Sequence, residues 1–356
     1  MPSSKDVFLS LVRMGIGHTA EPFPNQMNWS EIKALADRQG LSAIVLDGLD
    51  QLPNENRPPK DIALPWIGEV VNNYENRYRR YCEAIASLAG FYNGHGIKMM
   101  VLKGYACSLD WPKPNHRPCG DIDLWLFGKY READEIMTRE CGIQIDSSHY
   151  HHTVFDWLGF MVENHYDFID ISTRGSSREL ELVLKDLGKD ASYAVELNKA
   201  IINLPSPNLN ALFLIRHMVD HFTSVSINLR QLLDWAFFVK RYSNEIDWAW
   251  LSSLLEKFHI KDFYNCLNAI CVVDLGFSNS IFPPLQYDSL LKEKVLKDIL
   301  YPEFTAEEPR GFIKKMFYKY RRWQGNAWKQ ELCYPERRFS VFFLSLKTHL
   351  IKPQLK

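Results

Sequence analysis

The chain has 356 residues, enough for two or three compact units, and 46% of them are hydrophobic and 24% charged, the balance of an ordinary globular protein. That excludes a disordered, collagenous or coiled-coil chain. Its 42 basic and 43 acidic side chains leave a formal charge of −1, which argues against a uniformly basic nucleic-acid protein. The sum hides a polarity. Residues 310–356 hold twelve Lys and Arg against Glu331 and Glu336, a net of +10, so residues 1–309 carry −11.

Residues 1–90 read as helical, with apolar side chains three and four apart in Trp29–Arg38 and Asn72–Gly90. Gly40 and Gly96 sit at helix C-cap positions, and Pro22–Pro24 and Pro53–Pro65 mark loops. The mixed run up to Ile16 lacks the pattern of a secretory signal. No stretch approaches the ~18 apolar residues of a transmembrane segment. The seven cysteines are odd in number and never spaced Cys-x-x-Cys, which points to reduced thiols in a cytoplasmic protein.

Between residues 91 and 200 the pattern becomes α/β. Ile97–Leu102 reads as a buried strand, Tyr105–Gly120 as a proline-bearing loop and Ile122–Phe127 as a second strand. Tyr130–Glu140 is a helix stopped by Gly142, and Gly159–Phe168 a third strand. From residue 201 the helical period returns in Leu209–Phe222, Leu229–Tyr242, Trp248–Phe258 and Asp262–Leu275, before Pro283, Pro284, Pro302 and Pro309. The fold expected is α+β: a small mixed sheet over 91–200, helices over 1–90, and a mostly helical 201–356.

The chemistry concentrates in Val101-Leu-Lys-Gly-Tyr and Arg117-Pro-Cys-Gly-Asp-Ile-Asp-Leu. Asp121 and Asp123 are two residues apart at the start of a strand, so both carboxylates project the same way. Like charges held that close call for a cation between them, and oxygen ligands of this kind suit Mg²⁺ or Mn²⁺. Lys103 brings a positive charge, Gly104 allows close approach to an anion, and Gly120 relieves crowding before the first acid. Glu163, with His165 and Asp167 on the same strand face, offers a third carboxylate for a two-metal site.

These motifs resemble the nucleotidyltransferase superfamily with a polymerase-β-type catalytic core. The chain is more closely similar to a large, poorly characterised bacterial group marked by Leu-Lys-Gly, Arg-Pro-x-Gly-Asp-Ile-Asp-Leu and Val-Glu-x-His. The likeness extends to Ala34-Leu-Ala-Asp-Arg-Gln-Gly-Leu, His217-Met-Val-Asp-His-Phe and Leu229-Arg-Gln-Leu-Leu-Asp-Trp-Ala, over roughly residues 30 to 250. It implies that Asp121, Asp123 and Glu163 are catalytic and bind metal. It also implies that Lys103, Gly104, Arg117, Gly120 and His165 serve the nucleotide. The implied activity moves a nucleoside monophosphate, for example from ATP, to an acceptor hydroxyl in RNA, a protein or a small molecule. The alternative is a catalytically silent nucleotide- or RNA-binding regulatory module. Two departures stand out: Gly104 is followed by Tyr105 rather than Ser or Gly, and polar Asn164 replaces a buried residue, which points it at solvent or a partner.

Other constellations stay open. His149, His151, His152 and His165 suit a zinc site, a phosphate or acceptor contact, or ordinary strand edges. His217 and His221, and Arg230 and Asp234, are i,i+4 pairs that form either a polar seam or one wall of a nucleotide cleft, with Asp220 solvated. In the tail, Phe317, Tyr318, Tyr320, Trp323 and Trp328 alternate with Lys314, Lys315, Lys319, Arg321 and Arg322. That pattern suits nucleic acid, an acidic partner, a membrane surface, or a helix docked by its aromatics.

Overall fold

The computed structural model describes residues 3–19, 27–172, 174–304 and 309–336. The expected loop at Pro22–Pro24 and the tail beyond Glu336 lie outside the described residues. The N-terminal region forms α1 (Ser4–Gly15), α2 (Trp29–Gln39), α3 (Ser42–Leu49), α4 (Lys60–Val70) and α5 (Asn76–Gly94). Asn28 caps α2 by accepting the Glu31 N–H, and Gly40, at φ +65°, terminates it. The prolines of 53–65 do not all mark loop, because Pro65 lies inside α4. It sits on the exposed side, where its missing N–H costs one bond to the first turn.

The central region forms β1 (Met100–Leu102), α6 (Gly104–Ser108), β2 (Ile122–Trp125), α7 (Tyr130–Cys141), β3 (His152–Trp157), β4 (Phe160–His165), α8 (Gly175–Leu187), β5 (Ala194–Leu197) and β6 (Ala200–Asn203). The six strands lie in the order β3-β4-β2-β1-β6-β5. The β2/β4 and β1/β6 pairs are parallel and the others antiparallel. The sheet is therefore mixed, as expected, but larger. Leu158-Gly159 and Asn198-Lys199 all have positive φ and close the β3–β4 and β5–β6 hairpins as two-residue turns. The reading had no strand at His152–Trp157. It also took all of Tyr105–Gly120 as loop, whereas α6 occupies its start.

Strand alternation sorts the sheet into two faces. Val101, Ile122, Leu124, Phe160 and Val162 bury against α5 and α7 in one core with Tyr81, Ile85 and Met137. Met100, Leu102 and Trp125 join a second core. That core is shared by the N-terminal helices and by α9 (Pro207–Ser224), α10 (Leu229–Tyr242), α11 (Trp248–Lys257), α12 (Lys261–Ala269) and α13 (Ser289–Leu300). Buried Gln39 ties the two ends together: its amide donates to Ile299 O at 2.8 Å and accepts from Leu229 N at 2.8 Å.

The tail divides in two. In α15 (Ala327–Cys333), Lys329 is 1% exposed and its Nζ reaches Asp298 at 2.6 Å and Val225 O at 2.7 Å, while Trp328 packs edge-on against Phe222. In α14 (Phe312–Gly325), Tyr318 packs edge-on against Phe304 while Ile313, Met316, Phe317 and Tyr320 are exposed, so docking by aromatics describes α15 fully and α14 in part.

Gly104 is required by packing. A Cβ there would stand 2.3 Å from the Tyr81 hydroxyl, which donates to Asp121 O at 2.7 Å. We expect Gly104→Ala to lower stability by about 1–3 kcal/mol in denaturant titration, and Tyr81→Phe to return part of that loss when combined with it. Additive costs for the two changes would show that this contact is not the cause.

Candidate active-site cleft

The sheet face opposite α5 and α7 forms the floor of a cleft of about 740 Å³, with α9 and α10 as its far wall. Alternation along β2 places Ile122 and Leu124 in the core and Asp123 in the cleft. Alternation along β4 does the same for Glu163 and His165, with Asn164 facing inward. The parallel register sets Asp123 beside Glu163 and Trp125 beside His165. The antiparallel register sets His152 opposite His165. Asp121, just before β2, lines the same cleft.

Asp123 is 6% exposed. Its Oδ1 meets Lys103 Nζ at 2.6 Å and His165 Nε2 at 3.1 Å. Burial works against its charge, but Lys103 and His165 outweigh it and hold the carboxyl below the usual range. The opposite holds at Asp121, where burial and then the negative Glu163 and Asp123 push the carboxyl up. Lys103 and Arg77 oppose that rise without cancelling it. Burial, with His165 next, lowers His151 to about 2, and burial lowers His152 to about 4 despite Glu163. On the far wall, desolvation and then Lys103 hold His217 well below its usual range. Lys103 has φ +43° and ψ −121°, strain of the kind found at working residues, and its Nζ lies 5.7 Å from the Phe213 ring centroid.

The donor set suits a divalent cation. One ligand atom each from Asp123, Glu163 and His165 lie within 4.8 Å of one another, and so do those of His151, His152 and His165. Asp123, Glu163 and His165 could thus share one ion, with Asp121 lining the same cleft.

Several residues stand elsewhere than the sequence suggested. Arg117 is 3% exposed, and its guanidinium is engaged through Nε and Nη2 to Asp234 at 2.7 and 2.9 Å and through Nη1 to Pro118 O. It braces the loop and is not a free phosphate cation. Gly120 relieves no crowding, since a Cβ there meets nothing within 4 Å. Asn164 faces neither solvent nor a partner: it is fully buried and donates to Asp134 at 2.8 Å, because alternation turns it toward α7. Asp167 lies past the end of β4 and pairs with Lys185. Asp220 is not merely solvated, since it accepts from Arg216 at 2.5 Å and from the Tyr334 hydroxyl at 2.9 Å. Of the open alternatives, His217, His221, Arg230 and Asp234 do line the cleft wall, with Arg230 3.5 Å from Asp234. Sequence reasoning left His151 and His152 unplaced; the Leu158-Gly159 turn was the signal that could have paired them with β4.

Sheet, cleft and acidic floor define a nucleotidyltransferase-like protein. The model of the uncharacterised nucleotidyltransferase family matches residues 25–273, and the chain belongs to that family. No curated protein matches it. Among solved structures, it is similar to an antigenic nucleotidyltransferase-like protein from Paracoccidioides brasiliensis, with 13% identity and a TM-score of 0.36. That match covers 56% of this chain and 95% of the other, a likeness too loose to transfer any residue. No helix among the described residues is long and apolar enough to cross a membrane.

Because Asp234 is buried with Arg117, Arg117→Met strips that carboxylate of its two-pronged partner and leaves it only the Trp111 N–H and the longer Arg230 contact. We expect a loss of about 3–5 kcal/mol in chemical denaturation, with Arg117→Lys in between because it cannot form the two-pronged contact. Wild-type stability in Arg117→Met would contradict the bracing role.

Proposed function

We propose that this cleft moves a nucleoside monophosphate from a nucleoside triphosphate such as ATP to an acceptor hydroxyl and releases pyrophosphate. Residues 91–200 act as the catalytic unit between the two helical regions. The observation that supports this most is the in-register placement of Asp123 and Glu163, with His165 within reach of the same ion. Asp121, Asp123 and Glu163 would hold Mg²⁺ or Mn²⁺. When bound, such ions supply Lewis-acid polarisation and neutralise phosphate charge.

The chain's own residues carry the remaining roles. Lys103 offsets phosphate charge from the position where it now neutralises Asp123. Glu163 takes the proton of the acceptor hydroxyl as its oxygen bonds to the α-phosphorus. The bond from that phosphorus to the bridging oxygen breaks, and its electron pair leaves with pyrophosphate. Arg117 holds the loop before β2 so that Asp121 faces the cleft, and His217 and Arg230 form the wall across from the reacting groups. RNA, a protein side chain and a small molecule all offer a suitable hydroxyl.

The test is incubation with labelled nucleoside triphosphates, Mg²⁺ or Mn²⁺ and a cell lysate. Wild type should label an acceptor, and Asp121→Asn combined with Asp123→Asn should lose labelling by at least ~100-fold while keeping its fold by circular dichroism. Equal labelling by the double variant contradicts the assignment. Calorimetric binding of ATP by wild type without labelling under any condition favours the silent regulatory module.

A further inference from the structure

We propose that the cleft floor is a nitrogen-bearing metal position, in which His165 Nε2 joins Asp123 and Glu163, with His152 alongside, and selects Mn²⁺, Co²⁺ or Zn²⁺ over Mg²⁺. This deepens the reading above and rests on cation binding at that floor. The spacing of the Asp123, Glu163 and His165 donors fits a single ion, since one ligand atom from each lies within 4.8 Å of the others. His165 Nε2 stands 3.1 Å from Asp123 Oδ1 and 3.6 Å from Glu163 Oε2, and His152 Nε2 stands 3.9 Å from Glu163 Oε1. Donors bonded to one ion at about 2.0–2.2 Å stand roughly 3–4.4 Å from each other.

The orientation of His165 fits as well. Its Nδ1 lies 3.2 Å from the backbone oxygen of Asp167, which can only accept. Nδ1 therefore donates there and leaves Nε2 aimed at the two carboxylates. Metal-binding histidines are fixed in this way, one nitrogen tied to a carbonyl and the other turned to the ion.

A second observation comes from His152. It is 7% exposed, its Nδ1 has no hydrogen-bond partner, and its ring centroid lies 5.2 Å from that of His165. His151 Nδ1 is likewise buried without a partner. Buried imidazole nitrogens left unpaired beside His165 are costly unless something binds them. Imidazole donors favour Mn²⁺, Co²⁺ and Zn²⁺, whereas Mg²⁺ prefers an all-oxygen shell and retains its water. Lys103 already neutralises Asp123 Oδ1, so an incoming ion must displace an ammonium. That cost is common to all four ions, so the preference among them comes from the imidazole nitrogen.

The full chain, stripped with chelator, is titrated separately with Mn²⁺, Co²⁺, Zn²⁺ and Mg²⁺ without nucleotide. Mn²⁺ and Zn²⁺ should bind about 100-fold more tightly than Mg²⁺, and pulsed electron paramagnetic resonance of the Mn²⁺-loaded protein should show ¹⁴N couplings. His165→Gln should remove the strongest coupling and cut the Mn²⁺ preference to below about tenfold. His152→Asn, which leaves His165 in place, should weaken Zn²⁺ binding and guards against misfolding of the first variant. Bound Mn²⁺ without ¹⁴N coupling, or Mg²⁺ held as tightly as Mn²⁺, overturns the nitrogen ligand; Mg²⁺-supported nucleotidyl transfer would then leave the transferase reading intact. No binding by any of the four ions also overturns the nitrogen ligand, and labelling with triphosphate and Mg²⁺ then decides the transferase reading separately.

Discussion

The parallel pairing of β2 and β4 puts two carboxylates side by side on one sheet face, and much of the molecule is arranged around that adjacency. Neighbouring strands lie about 4.8 Å apart. Two like charges at roughly that separation repel by about 3 kcal/mol at an effective dielectric near 20. Asp123 cannot turn away, because Ile122 and Leu124 on either side of it are fully buried in the opposite core. The repulsion has to be met with positive charge. In the structure, Lys103 and His165 supply it at Asp123 Oδ1, whereas at Asp121 burial, then Glu163 and Asp123, outweigh Lys103 and Arg77 and raise the carboxyl.

The loop leading into β2 is held from both sides. Lys113 and His116 reach Asp47 at 2.5 and 2.7 Å, and His116 also reaches Glu75 at 3.2 Å. On the other flank, Trp111 and Arg117 converge on Asp234 of α10. The N-terminal and C-terminal helices therefore do more than enclose a core. Each supplies a carboxylate that pins the segment carrying Asp121, so the acidic floor depends on helices far away in sequence.

Much of this was legible in the sequence because it is local. Strand alternation puts Asp121 and Asp123 on one side of their segment, with Glu163 brought beside Asp123 by the β2/β4 register, and the helical period marks α2, α7, α9 and α10. The Arg117–Asp234 pair was not legible, since its partners are 117 residues apart and only tertiary packing makes Arg117 a brace instead of a phosphate contact. β3 was hidden because only Phe155 and Trp157 form its apolar face, with His152 and Asp156 on the other, and without that strand His152 had no reason to sit opposite His165. Asn164 looked out of place only because its partner, Asp134, projects from a separate helix. The near-neutral net charge was equally uninformative: it averages an acidic body over a basic tail, and α15 of that tail folds back through Lys329 onto Asp298.

The central claim, that the cleft floor stores repulsion which a cation relieves, is tested most directly by comparing thermal unfolding of wild type and Glu163→Gln with and without Mn²⁺. The account predicts that Glu163→Gln melts higher than wild type in chelator, and that Mn²⁺ raises the melting temperature of wild type but not of the variant. A variant that melts lower than wild type in chelator, with wild type indifferent to Mn²⁺, would contradict it.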